Sequence, residues 1–272
     1  PSRAEENEKE SIHMKNTRHL TATLALGTVA ALALAGCASG NQAEGGSGEG
    51  GGKGTITLGF LPSWTDGLST AYLLEDQLGK LGYTVEMQTL TEAGPLYAGL
   101  AQGDVDIYPS AWPELTHADY MKKYGDSIED LGAYYDNAKL TIAVPEYSEL
   151  NSIEDLVGKG AELDGKIYGI EPGAGLTAQT QTMLPEYGLD SEYELVTSST
   201  AAMLTELKSA TDKQEDIVVT LWRPFWANDA FPVKDLEDPK GAMGDPEALH
   251  FLGTKGFAEE FPEAAELIEQ IK

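Results

Sequence analysis

The sequence predicts an α/β fold built as two lobes with a ligand cleft between them. Short β-rich runs alternate with helix-length segments, and the alternation comes in two successive series. Three of the four tryptophans stand where a β-rich run gives way to a loop. Interior β-branched runs separated by helices indicate layered α/β packing with mostly parallel strands. A single doubly wound sheet is the other architecture compatible with the same alternation.

The first series opens with ITLGF, residues 56–60, a strand by its apolar and β-branched content. In LSTAYLLEDQLGKLG, residues 68–82, leucines 73, 74, 78 and 81 share one helical face and Gly82 supplies the stop. A strand at 84–90, a helix at 95–103, a strand at 105–110 (VDIYPS) and a helix at 116–125 follow. The second series begins with LTIAVP at 140–145 and the short segment SIEDLVGKG. It continues through a strand KIYGIE, a helix LTAQTQTMLPEYG interrupted by Pro185, a strand YELVTSS, a helix TAAMLTELKSA and a strand DIVVTLW. Residues 257–271 carry apolar side chains at helical spacing and are expected to return to the first lobe. The division is therefore residues 55–143 with 236–272 for one lobe, and 144–235 for the other.

The beginning of the chain has a different character. Residues 14–37 pair a basic start with a short apolar stretch of small residues ending in LAGC, the form of a secretory signal peptide. The apolar run is short for a membrane span, and a Gly-, Ser- and Glu-rich tract follows it. Residues 14–36 are thus the expected signal, and Cys37 the expected lipidated first residue of the mature chain, as in bacterial lipoproteins. Residues 37–54 form a flexible tether too poor in apolar groups to offset the entropy of ordering. Residues 1–13 precede the expected start methionine at Met14 and are read as extra upstream sequence. The expected location is extracytoplasmic, with membrane attachment only through the N-terminal lipid.

The formal charge of -27 opposes binding to nucleic acid or to an anionic membrane, and it does not repel a cationic or zwitterionic small molecule. A single cysteine excludes an intrachain disulfide framework. No HExxH or paired CxxC spacing appears, so neither a metal nor a cofactor is expected.

Ligands of α/β folds gather beyond the C-terminal ends of strands. Trp64 follows ITLGF, Trp112 follows VDIYPS and Trp222 closes DIVVTLW, so the three indoles are expected to converge on the cleft. Several indole faces suit a quaternary ammonium group, which is cationic but has no N–H to donate. A sugar is the competing ligand, because indoles also stack on pyranose rings. A betaine would need donors for its carboxylate. Gly173, Ala174 and Gly175 in GIEPGAG, at the start of a helix, offer backbone N–H groups. Trp64, Thr65 and Asp66 in WTDG open another helix. Arg223 is a candidate carboxylate partner, with surface ion pairing as the alternative. Phe225 and Trp226 either wall the pocket or pack beneath it, Trp226 lying one helical turn beyond Trp222.

Through GKGTITLGFLPSWTD, LYAGLAQGDVDIYPSAWPELT, YGIEPGAG, SSTAAML, TLWRPFWA and DLEDPKGAMGDPE, in that order, the chain resembles the glycine betaine/proline betaine substrate-binding proteins of ABC transporters. The likeness runs from about Gly54 to the end. It implies a type II-like periplasmic-binding-protein fold that closes about a hinge, an aromatic cage carried here by Trp64, Trp112 and Trp222, and delivery to a permease driven by a separate ATPase. Glycine betaine, proline betaine, carnitine and choline all fall within that resemblance. Many relatives place a histidine where this chain has Phe225, and some place a tryptophan in the loop that here reads GIEPGAG. For choline, Asp66 or Glu114 would face the hydroxyl.

The implied cycle contains no chemistry, so the chain is read as a binding protein, expected to be a monomer, and not as an enzyme. A secreted hydrolase is the rival class. His117 and His250 show no partner pattern in the sequence, and no pair of acids is marked out by spacing.

Overall fold

The computed structural model describes residues 52–271. The signal peptide, the lipidation site at Cys37 and nearly all of the tether lie outside the described residues.

The chain runs β1 (Thr55–Phe60), α1 (Thr65–Leu81), β2 (Thr84–Thr89), α2 (Ala93–Gln102), β3 (Ile107–Ala111) and α3 (Ala118–Tyr124). It continues with β4 (Ile128–Pro145), β5 (Lys166–Tyr168), α4 (Gly175–Tyr187), β6 (Glu194–Val196) and α5 (Thr200–Lys213). The last part is β7 (Val219–Arg223), α6 (Ala227–Ala230), β8 (Val233–Asp235), β9 (Glu247–Thr254), α7 (Phe257–Glu260) and α8 (Pro262–Glu269).

Neighbouring strands follow the order β2-β1-β3-β9-β4-β7-β5-β6, with β8 also on β4. This path comprises two sheets that share β4. Its residues from Ile128 to Ala138 pair with β9, and those from Lys139 to Ala143 pair with β7. The change of partner falls between Ala138 and Lys139.

Pairing β1 with β2 and β3, and β5 with β6 and β7, gives parallel ladders, whereas every partner of β4 and β9 is antiparallel. The expectation of mostly parallel sheets is corrected accordingly: the parallel βαβ units flank an antiparallel centre. Strand β4 is far longer than the expected run at 140–145. Its first half, IEDLGAYYDNA, has little apolar alternation, with Gly132 at φ 109 and register shifts against β9. Strands β8 and β9 are likewise structural findings.

Pro185 does not interrupt α4, which runs to Tyr187 before Gly188 ends it in the left-handed conformation. The C-terminal helical segment is instead divided, since Pro262 starts α8 directly after α7. At a first-turn position proline forfeits no helical hydrogen bond.

The first sheet is covered on both faces. Side chains alternate along β3, so Ile107 joins Ile56, Leu58, Leu74 of α1 and Ile268 of α8, while Tyr108 joins Leu96, Tyr97 and Leu100 of α2. The second sheet has its own core, including Ile142, Ile167, Met183, Leu207 and Leu221. Trp112 and Trp222 both belong to that core, which therefore reaches the loops at the strand ends. No helix among the described residues is long and apolar enough to cross a membrane.

Leu74 is completely buried between α1 and the first sheet. Leu74→Ala is expected to lower the unfolding free energy by about 2–5 kcal/mol, read from urea denaturation, because the rigid surroundings close a cavity only in part.

Candidate functional site

Three strand ends bring three indoles to one cavity. After β1 the chain turns, with Trp64 N–H donating to Leu61 C=O at 3.1 Å, and Trp64 becomes the residue before α1. Trp112 immediately follows β3. Its loop is closed by His117, whose backbone N–H donates to Trp112 C=O at 2.8 Å and whose Nδ1 accepts the Trp112 N–H at 3.1 Å. Trp222 lies near the end of β7, opposite Leu140 of β4. Phe225 stacks on it with centroids 3.8 Å apart and planes 17° from parallel. Trp112 and Trp222 are 5% and 4% exposed.

The cavity lies where the two sheets approach and is tight, with about 30 Å³ open to the centre of a water-sized sphere. Besides the indoles, its wall contains Asp66, Thr116, His117, Leu140, Ile170 and the start of α4 at Ala174 to Leu176. The wall has one acid and no lysine or arginine among the described residues.

Asp66 accepts from Ser110 Oγ at 2.6 Å and from Trp222 Nε1 at 3.2 Å. Burial pushes its carboxyl above the usual carboxylate range, and these hydrogen bonds offset the shift only in part. His117 is driven the other way. Burial lowers it to about 3, so the ring is neutral at pH 7. Because Nδ1 accepts the Trp112 N–H, the proton sits on Nε2. The ring lies nearly parallel to Trp64, at 6.3 Å and 15°. A neutral imidazole backs the indole without adding a charge that would repel a cation.

Two helices begin at the cavity, and neither has a side-chain cap at its N-cap residue. At α1 the backbone N–H groups of Asp66 and Gly67 face the Asp66 carboxyl and act against the upward push of burial. At α4, Ala174, Gly175 and Leu176 present backbone along the wall. Gly175 is packed against the opposite side, where an added Cβ would lie 2.0 Å from the Thr116 carbonyl oxygen. Glu247 of β9 holds that opposing loop by accepting from the backbone N–H groups of Leu115 at 3.0 Å and Thr116 at 2.9 Å, and from the Thr116 hydroxyl.

Of the residues singled out in the sequence, the structure gathers Trp64, Asp66, Trp112, Ala174, Gly175 and Trp222 around the cavity. Gly173 lies beside it, with N–H donating to Glu92 at 3.1 Å and C=O accepting from Tyr120 at 2.7 Å. Thr65, Arg223, Phe225 and Trp226 instead line a separate surface recess, and Trp226 is 46% exposed. Trp222 is in a strand and Trp226 opens the short α6, so no single helix carries both.

Arg223 forks onto Asp235 at 2.8 and 3.1 Å, and Lys139 joins at 2.9 Å. Burial acts to raise the Asp235 carboxyl, but the two cations together hold it below the usual range. The guanidinium is thereby committed to the point where β4 changes sheets. Glu114 holds the Ala248 N–H and faces His250, whose other ring nitrogen meets Asp130 at 2.9 Å.

Sequence reasoning missed His117, Glu171, Glu92 and Tyr120. Glu171 lay inside the GIEPGAG segment, where the glycines drew attention. His117 stands five residues after Trp112, a spacing with no helical or strand period to reveal it.

The His117 shift fixes a sign for acid stability. The native ring excludes a proton that the unfolded chain binds below about 6.5, so its contribution is present at neutral pH and lost as pH falls toward about 3. Asp66 acts oppositely, since the native state binds its proton more readily than the unfolded chain. The stability difference between wild type and His117→Gln should therefore shrink by up to ~1.4 kcal/mol per pH unit below pH 6 in urea titrations. A constant difference would show that the buried imidazole does not govern it.

Residues 54–272 match the family model described as the substrate-binding domain of ABC-type glycine betaine transport systems. The glycine betaine/carnitine transport binding protein GbuC of Listeria monocytogenes is 39% identical over 111 residues, spanning 40% of this chain and 37% of that protein. The closed, liganded lactococcal OpuAC complexed with glycine betaine superposes with a TM-score of 0.75 at 33% identity, covering 80% of this chain and 84% of that one. An ABC-transporter choline-binding protein in complex with choline gives 0.71 at 25% identity, covering 80% and 77%. The mixed α/β architecture is that of two-lobed substrate-binding proteins, which bind and deliver without catalysing a reaction. The chain belongs to the family of substrate-binding domains of ABC-type glycine betaine transport systems.

Proposed function

We propose that this chain captures glycine betaine, or a close quaternary ammonium relative, outside the cytoplasm and hands it to an ABC permease powered by a separate ATPase. The observation that carries the reading is the convergence of Trp64, Trp112 and Trp222 on a cavity whose wall has an acid and no lysine or arginine among the described residues. Each desolvated cation–π face contributes roughly 0.5–2 kcal/mol, so three faces supply a large part of the ~8 kcal/mol that a micromolar Kd requires. The ligand carboxylate would meet the uncapped N-terminus of α4, where backbone N–H groups and the helix dipole favour an anion.

The first lobe is read as the sheet containing β1, β3 and β9 with its helices. The second is read as the sheet containing β5, β6 and β7 with its helices. They meet through β4, with the joint near 138 and 139. Closure is favoured because the ligand touches indoles on both sides, and only contacts that differ between open and closed forms shift that equilibrium. The chain acts as a monomer, held at the membrane by lipid on Cys37.

Choline is the second reading. Asp66 stands in the wall while Arg223 is turned to Asp235, so the formal charge of the site favours a net cation over a zwitterion.

Calorimetric titration with glycine betaine, proline betaine, carnitine, choline and a panel of sugars tests the reading, with saturable binding of a quaternary ammonium and none of sugars expected. Binding of sugars alone would overturn it. Trp222→Ala should weaken the best ligand by at least ~1 kcal/mol in a folded variant. Gly175→Ala should raise Kd about tenfold or more, ~1.4 kcal/mol, because its methyl meets a backbone carbonyl across the closed cleft. The ligand-free melting temperature should stay near that of wild type, as alanine suits the first helical turn.

A further inference from the structure

Two of the cage indoles are held by acids from the opposite sheet. Trp64 follows β1 of the first sheet, and its Nε1–H donates to Glu171 Oε2, beyond β5 of the second, at 3.3 Å. Trp222, on β7 of the second sheet, donates its Nε1–H to Asp66 Oδ1 at the start of α1, at 3.2 Å. The two bonds cross the cleft in opposite senses. Asp66 is already part of the cavity wall, whereas Glu171 is not.

We propose that Glu171 is a positioning residue that completes the aromatic cage only when the lobes close, by taking the Trp64 indole N–H across the cleft. This rests on the reading of the cavity as a quaternary ammonium site.

The carboxylate is 6% exposed and accepts from four donors in two groups. The Thr200 N–H at 3.0 Å and the Thr200 hydroxyl at 2.8 Å come from the start of α5, on its own sheet. Ser63 Oγ and Trp64 Nε1, both at 3.3 Å, come from the other. Thr200 therefore fixes the carboxylate whether or not the cleft is shut, leaving its remaining lone pairs aimed at the turn before α1. When the cleft shuts, water leaves these lone pairs, and a buried carboxylate without replacement donors is costly. Ser63 and Trp64 replace that water. The charge-assisted bond fixes the indole plane. It also draws the N–H proton toward the carboxylate, which enriches the ring face presented to a cation.

Glu171→Gln retains length and one acceptor, but its amide nitrogen opposes the indole N–H in one orientation and the Thr200 N–H in the other. Glycine betaine and choline are titrated calorimetrically into wild type, Glu171→Gln, Trp64→Phe and the double variant. Glu171→Gln is expected to weaken binding at least about tenfold when Trp64 is present. The loss should fall below about twofold when phenylalanine, which has no N–H, replaces it. An equal loss in both backgrounds, or none in either, overturns the proposal.

The indole N–H resonances at saturating ligand give a reading that does not depend on affinity. The Trp64 signal, identified by its disappearance in Trp64→Phe, should move downfield and exchange slowly on binding. Glu171→Gln should return it toward the ligand-free position while the Trp222 signal stays. A Trp64 signal indifferent to Glu171→Gln overturns the proposal. Glu171→Asp, which keeps the charge and shortens the reach, gives the same readout if the glutamine variant does not fold. Wild type that binds neither ligand, nor any other quaternary ammonium, sinks the functional reading and this proposal together. Wild type that binds without the coupling sinks this proposal alone.

Discussion

Keeping carboxyl oxygen out of water without losing its hydrogen bonds is the constraint around which the cleft is organised. Asp66 and Glu171 are both buried where the two sheets approach, and each accepts from donors on both sides. Part of the offset to their desolvation comes from across the cleft, from Ser63 and Trp64 for Glu171 and from Trp222 for Asp66. Trp64 and Trp222 thus serve two purposes with different parts of one side chain. The ring face walls the cavity, and the ring edge satisfies an acid. Phenylalanine provides the first and not the second, which gives a physical reason for tryptophan at these positions.

The rest of the cleft keeps unwanted charge away from the rings. His117 is neutral by burial, and Arg223 and Lys139 are drawn to Asp235 at the sheet junction. Glycine at 175 lets backbone approach the Thr116 carbonyl, and glycine at 173 leaves room for the Glu92 carboxyl. A close fit of this kind is local to the closed form. In a wider cleft neither glycine would be crowded, so their smallness is a property of the approach and not of the loop in isolation.

Much of this was legible in the sequence. The alternation of β-rich and helix-length runs located β1, α1, β2, α2, α4, α5 and β7, with Gly82, Gly103 and Gly188 marking the ends of three of the helices. The indoles at the strand ends were visible for the same reason. The first half of β4 was not, since its acids, glycine and paired tyrosines show no regular apolar alternation. Nor was the antiparallel centre, which depends on β9 inserting between β3 and β4 from more than a hundred residues away. Of the site, aromatic residues and glycines signalled themselves by type and setting. Glu171 and His117 did not, because one acid among 45 Asp and Glu acquires a role only when folding places donors around it. Arg223 illustrates the opposite case, a conspicuous residue whose partner Asp235 could be chosen only by strand pairing.

Strand β4 has a mechanical meaning as well as a topological one. A flexible loop at the crossing would let the halves swing freely, whereas a strand bonded to β9 on one side of Ala138 and to β7 on the other resists bending. Relative rotation must be absorbed as torsion over a few peptide units, with both ladders anchored. Such a linkage behaves as a stiff spring with a defined axis. Any swing of the halves about it would follow a narrow arc and bring the same atoms together on each approach.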